Sequence, residues 1–182
     1  RYEWRSEFRA QHPEYELGDQ CGSGLHGPGS GYGERCTGLN YGIPEVRAHR
    51  LAIVEEACAP YDVDGFEWDF QREPGHSVPN LPENGSILTD YVREARTKLN
   101  GIGDRRGRPL GFGVRSPVTL EKCHAIGLEL ETWIAEGLVD YIAPAPHWDS
   151  ATDLPFEEFV DIAKGSDCRV LEREEQRWSG DG

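Results

Sequence analysis

Glu67 and Asp69 stand two residues apart in the run Asp64-Gly65-Phe66-Glu67-Trp68-Asp69-Phe70, where they alternate with three large aromatic residues. Successive side chains of an extended strand point to opposite faces. Phe66, Trp68 and Phe70 therefore share one face, and Glu67 and Asp69 share the other. Enclosing ionised carboxylates without partners is strongly unfavourable, so a strand that carries Glu and Asp on its inner face is building a site rather than a core. Carboxyl pairs cleave glycosidic bonds: one group protonates the leaving oxygen while the other acts as nucleophile or base. Asp69, at the end of the strand, is the expected nucleophile or base. Glu67, one layer deeper, is its expected support.

The second acid must come from elsewhere in the chain. Glu172 ends the run Cys168-Arg169-Val170-Leu171-Glu172 and is the leading choice, with Asp149 in reserve. Glu172 also reads as the first member of a solvated acidic tail with Glu174 and Glu175. In the strand pattern at Leu110 to Val114, outward Phe112 and Val114 leave Gly111, Gly113 and Arg115 inward. The glycines make room beside the acids, and Arg115 is placed to hold one of them in a charge-assisted pair. The competing reading is a buried salt-bridge network of Glu67, Asp69 and Arg115 with no chemistry. His147 and Trp148 follow the third strand pattern, where an indole can stack on a sugar face. Arg72 and His76, in the long loop after Asp69, face the same pocket. Arg72, His76, Arg115, His147, Trp148 and Asp149 thus form the expected substrate-binding set, although single histidines and tryptophans in loops also serve ordinary packing. His12, His26, His49 and His124 show no metal-ligand spacing, and no metal or cofactor is expected.

The elements that must position these residues alternate between helix and strand. Tyr2 to Gln11 reads as an amphipathic helix, and residues 18–39 as a loop insertion with glycine at 22, 24, 27, 29, 31 and 33. That insertion lacks a phosphate-binding Gly-Lys-Ser or Gly-Lys-Thr ending. Pro44, allowed in a first helical turn, opens a helix that delivers the chain into the Asp64 to Phe70 strand. Ser86 is the expected N-cap of a second helix ended by Asn100-Gly101. A third helical region, from about Val118 to Gly137, breaks at Gly127, and Val139 to Ala143 forms the next strand. Pro155 opens a last helix with Phe156, Phe159, Val160 and Ala163 on one face, before the Cys168 to Glu172 strand. This alternation predicts α/β architecture with parallel strands joined by right-handed crossovers. Four such units are half of a TIM-type barrel, whose closed form takes about 250 residues, so a single domain that either holds part of a barrel or folds as a smaller open sheet is expected, the partial barrel being the leading reading. Its missing strands would come from the rest of the chain or another subunit.

Composition narrows the partners. The chain has 182 residues and a formal net charge of -14, with 16 arginines and 3 lysines. Such acidity argues against nucleic-acid and anionic-membrane partners, which need clustered basic residues, and suits a neutral or cationic small ligand. No apolar run reaches membrane-spanning length and no signal peptide is visible. There is no methionine, and the chain starts at Arg1-Tyr2-Glu3-Trp4, so it reads as a piece of a longer protein. Of the cysteines at 21, 36, 58, 123 and 168, only Cys21 and Cys36 sit where a bridge looks natural, which leans the reading towards export.

Asn40-Tyr41-Gly42-Ile43-Pro44-Glu45-Val46-Arg47, followed by a helix and Tyr61-Asp62-Val63-Asp64-Gly65-Phe66-Glu67-Trp68-Asp69, resembles a segment of barrel-fold glycoside hydrolases and glycosyl-hydrolase-like proteins. The layout extends over roughly residues 1 to 172, and its specific part is Asn40 to Phe70. In the alpha-amylase-like clan the matching strand reads Asp-Gly-Phe-Arg-x-Asp, which puts the nucleophile at Asp69 and Glu67 in place of the arginine. In the chitinase-like pattern the general acid falls at Gln71. The resemblance implies a carbohydrate-active barrel acting on a poly- or oligosaccharide. Two alternatives stay open: a metal-dependent sugar isomerase or aldolase using Glu67, Asp69, His147 and Glu172, and a sugar-binding barrel without catalysis.

Overall fold

The computed structural model describes residues 6–18, 36–71, 85–146 and 155–171. The described residues begin with a short helix α1 (Glu7–Gln11), capped by the Ser6 hydroxyl on the Arg9 N–H, and a single 3-10 turn. Strand β1 (Glu16–Gly18) then pairs antiparallel with β2 (Cys36–Leu39). The expected insertion is therefore bounded by paired strands at positions where a loop was predicted. A ladder between distant segments leaves no periodic mark in so short a stretch. Residues 19–35, with Cys21, lie outside the described residues.

Helix α2 (Pro44–Cys58) starts where the proline predicts and buries Val46, Leu51, Val54 and Cys58. It leads into β3 (Gly65–Asp69). Helix α3 (Gly85–Arg106) departs from expectation at both ends. Ser86 lies inside it, and the helix runs through Asn100-Gly101 because Ile102 and Gly103 are buried against the rest of the fold. Gly103 is a close approach: a Cβ there would lie 2.8 Å from the Arg108 carbonyl oxygen. The Arg106 guanidinium ends the helix by donating to the carbonyls of Cys58, Tyr61 and Val63. These include the carbonyl of the last α2 residue, which no intrahelical N–H can reach. One side chain thus ties the end of α3 to the exit of α2.

Strand β4 (Gly111–Ser116), helices α4 (Leu120–Ala125) and α5 (Leu130–Ala135), and strand β5 (Tyr141–Pro144) follow. The break between α4 and α5 falls at Gly127, whose φ of +78° is left-handed, as predicted for a glycine stop. Helix α6 (Glu157–Ala163) buries Phe159 and Ala163. Val160 is 53% exposed and leaves the predicted apolar face, since a seven-residue helix has only one side against the sheet. Strand β6 spans Arg169–Val170, shorter than predicted, and Glu172 lies outside the described residues.

Strands β3, β4, β5 and β6 form one parallel sheet in sequence order. Among the described residues it has four strands and does not close, so the fold is α/β with parallel β/α units and a closed barrel is not reached. The helices cover one face of it. Phe66, Trp68 and Phe70 pack there with Phe112, Val114 and Ile142. Trp68 stacks on Tyr91 of α3 at 4.4 Å and meets Phe112 edge-on at 5.1 Å. Burial pushes the Tyr91 hydroxyl pKa well above its usual value.

At the amino ends of the strands, Arg96 of α3 donates to the Leu138 and Leu110 carbonyls at 2.7 and 3.2 Å and to Asp140 at 2.6 Å. Asp140 in turn accepts the Phe112 N–H at 2.6 Å. This clamp sets the starts of β4 and β5 against one helix, and so fixes the register in which their side chains meet. No helix among the described residues is long and apolar enough to cross a membrane.

Candidate active site

With the aromatics under the helices, alternation leaves Glu67, Asp69, Gly111, Gly113, Arg115, Tyr141 and Ala143 on the opposite face of the sheet. Two rows of that face carry the polar chemistry. In the upper row Asp69 lies opposite Arg115, which lies opposite Ala143. The Arg115 guanidinium donates to Asp69 Oδ2 at 2.9 Å. The pair is asymmetric in burial: the Arg115 side chain is 9% exposed and that of Asp69 42%. Asp69 is thus held from the neighbouring strand by a buried cation while its carboxylate reaches solvent at the carboxyl end of β3. Its other oxygen accepts the Gln71 backbone N–H at 2.9 Å, which fixes the side-chain rotamer.

In the lower row Glu67 lies opposite Gly113, which lies opposite Tyr141. The Tyr141 hydroxyl donates to Glu67 Oε2 at 3.0 Å. Each acid therefore has its own donor, a guanidinium for Asp69 and a phenol for Glu67. Tyr141 was not among the expected site residues, although the parity of β5 contained the signal: buried Ile142 faces the helices, so Tyr141 must face the acids.

Gln71, where the chitinase-like pattern places its acid, is a buried amide at 2% exposure, and its Oε1 has no hydrogen-bond partner among the described residues. A carboxamide has no acidic proton to give a leaving group. Arg72, His76, His147, Trp148, Asp149 and Glu172 all lie outside the described residues. Of the expected set, the structure brings together Asp69, Glu67 and Arg115.

Parallel sheets present their chemistry at the carboxyl ends of the strands, and Asp69 is the last residue of β3. A cavity of about 670 Å³ lies instead near the amino ends of β5 and β6, against Val139, Asp140 and Cys168. We place the candidate site at the carboxylates. Among the described residues no group of three or more His, Cys, Asp or Glu side chains is arranged to hold a metal ion. The set named for the metal-dependent alternative includes His147 and Glu172, outside the described residues.

The chain matches no protein-family model. Among curated proteins it is 24% identical over 141 residues to proteins named "Glycosyl hydrolase DigH" from Escherichia coli and from Shigella flexneri. The matched region covers 60% of this chain and 31% of each relative. The chain is therefore distantly similar to proteins named glycosyl hydrolases and spans about a third of their length.

Proposed function

We propose that this chain carries part of the catalytic face of a glycoside hydrolase acting on a poly- or oligosaccharide, with Asp69 as nucleophile or base. The observation that carries the reading is the Asp69–Arg115 pair at the carboxyl edge of a parallel sheet, above a second carboxylate, Glu67. A glycosidase needs one carboxylate ionised, oriented and within reach of the anomeric carbon. The half-exposed Asp69, gripped at one oxygen by Arg115 and at the other by a backbone N–H, answers that need. The acid that protonates the leaving oxygen is assigned to Glu172, with Asp149 as the alternative. His147 and Trp148 supply the sugar-binding wall. The similarity to proteins named glycosyl hydrolases supports the same reaction class.

The test is turnover of a panel of cello-, malto-, xylo- and chito-oligosaccharides by the complete protein and by Asp69→Asn. The substitution keeps shape and removes charge. Hydrolysis should fall by about three orders of magnitude or more, as for loss of a nucleophile, while oligosaccharide binding survives. Unaltered turnover in Asp69→Asn removes Asp69 from the mechanism. A second reading, sugar binding without catalysis, is favoured by the amide at Gln71. Binding of a panel member without turnover by the wild-type protein would select it.

A further inference from the structure

The lower row of the carboxylate face has a geometry that simple burial does not explain. Adjacent strands lie about 4.8 Å apart, so Glu67 and Tyr141, two strands apart, are separated by about 10 Å at the backbone. They meet because the position between them is empty. A Cβ built on Gly113 would fall inside the Tyr141 ring, against Cζ, Cε1 and Cε2. Those three atoms, rather than the hydroxyl oxygen, are the nearest ones, so the ring lies face-down on the Gly113 backbone and passes over β4. Lying flat is what brings its hydroxyl to Glu67 Oε2 at 3.0 Å. Any side chain at position 113 lifts the ring and opens that bond.

We infer that Tyr141 is a positioning residue of the site, acting through Glu67, and that Gly113 is the seat that permits it. The inference rests on the hydrolase reading, in which Glu67 supports Asp69. Two acids on alternate residues of one strand, beside one arginine on the next, can exchange partners. Glu67 is the diagonal neighbour of Arg115 in this register, within reach of long side chains. Among the described residues the phenol donates to Glu67 while the guanidinium donates to Asp69. Tyr141 thereby holds Glu67 in one rotamer and keeps Arg115 aligned on the upper carboxylate.

The experiment is a double-mutant cycle in the complete protein, read on whichever oligosaccharide of the panel it hydrolyses. Tyr141→Phe removes the hydroxyl and keeps the ring on its seat, so folding is preserved. It should lower kcat about tenfold or more, with KM changed less than about twofold. In the Glu67→Ala background, adding Tyr141→Phe should change kcat by less than about twofold, because the acceptor is already gone. Gly113→Ala should reproduce the kcat loss of Tyr141→Phe. A second readout needs no turnover: the ¹³Cδ resonance of Glu67, assigned by its disappearance in Glu67→Gln, should move in Tyr141→Phe. An equal kcat loss in both backgrounds, or an unmoved resonance, overturns the inference and leaves the hydrolase reading standing. A wild-type protein that hydrolyses no glycan overturns the hydrolase reading itself, and the positioning role of Tyr141 with it.

Discussion

Thr89→Val is the most exacting test of how this structure is held together. Thr89 lies in the second turn of α3, and its hydroxyl accepts the Trp133 indole N–H at 2.7 Å while donating to Glu129 Oε2 at 2.5 Å. Trp133 is fully buried and Thr89 nearly so. The relay joins α3 to α5 directly beneath Phe70, whose ring centroid lies 5.9 Å from that of Trp133, so it underlies the end of the site strand. Valine has the same shape and a similar helix propensity, and it replaces the hydroxyl by a methyl group. The indole N–H is then left in a dry interior without an acceptor, which costs about 1–3 kcal/mol. Glu129 is half-buried, so water recovers part of what it loses. The sum is about 2–3 kcal/mol, equivalent to a fall in Tm of about 4–12 °C for a domain of this size. Thr89→Ser keeps the hydroxyl and loses one methyl group, and should cost about 1 kcal/mol or less. Urea unfolding followed by tryptophan fluorescence, with an unchanged m-value, separates the two. A valine variant as stable as wild type, or a serine variant as damaged as the valine one, would refute the relay.

Two further outcomes follow from groups whose protonation the fold alters. The Arg93 guanidinium, 2.5 Å from Glu136, holds that carboxyl below its ordinary value of 4.5. A lowered folded pKa stabilises the fold above the unfolded value, and the contribution disappears as pH falls through the folded one. The stability difference between wild type and Arg93→Gln should therefore be constant at neutral pH and shrink below about pH 4.5. A difference that persists unchanged at pH 2 by urea titration would contradict the assignment. Burial pushes the Cys123 thiol up to about 12, so at pH 8 only about one molecule in ten thousand carries the thiolate. Iodoacetamide should label Cys123 in denaturant and leave it untouched in the native protein, as read by peptide mass spectrometry. Prompt native labelling would show that the α4 core is open.

The legible parts of the fold share a physical character. Alternation along β3 and β4, the proline that opens α2 and the left-handed glycine between α4 and α5 are encoded within a few neighbouring residues. Features that depend on distant chain could not be read in the same way. Asn100-Gly101 looks like a helix stop, yet α3 continues because Ile102 finds a core and Arg106 finds the α2 carbonyls. The Cys36–Leu39 stretch looks like loop until Glu16–Gly18 supplies its partner. Val160 fits a helical stripe, but the helix it belongs to offers only one side to the sheet.

The same division runs through the candidate site. Period two is a local property of an extended chain, so the sequence by itself determined that Glu67 and Asp69 share a face, that three aromatics hold the other, and that Gly113 and Arg115 line the next strand inward. Which residue stands opposite which is a matter of register, and a shift of one residue would turn every side chain to the wrong face. That register is imposed by long-range packing of α3 on the strands and by the Arg96 clamp at their starts. Only the tertiary structure could decide that Arg115 meets Asp69, that Tyr141 crosses a glycine to meet Glu67, and that each carboxylate has a different donor. The reason is that hydrogen-bond partners two strands apart are chosen by ångström-scale placement of backbones, which no local pattern in the chain records.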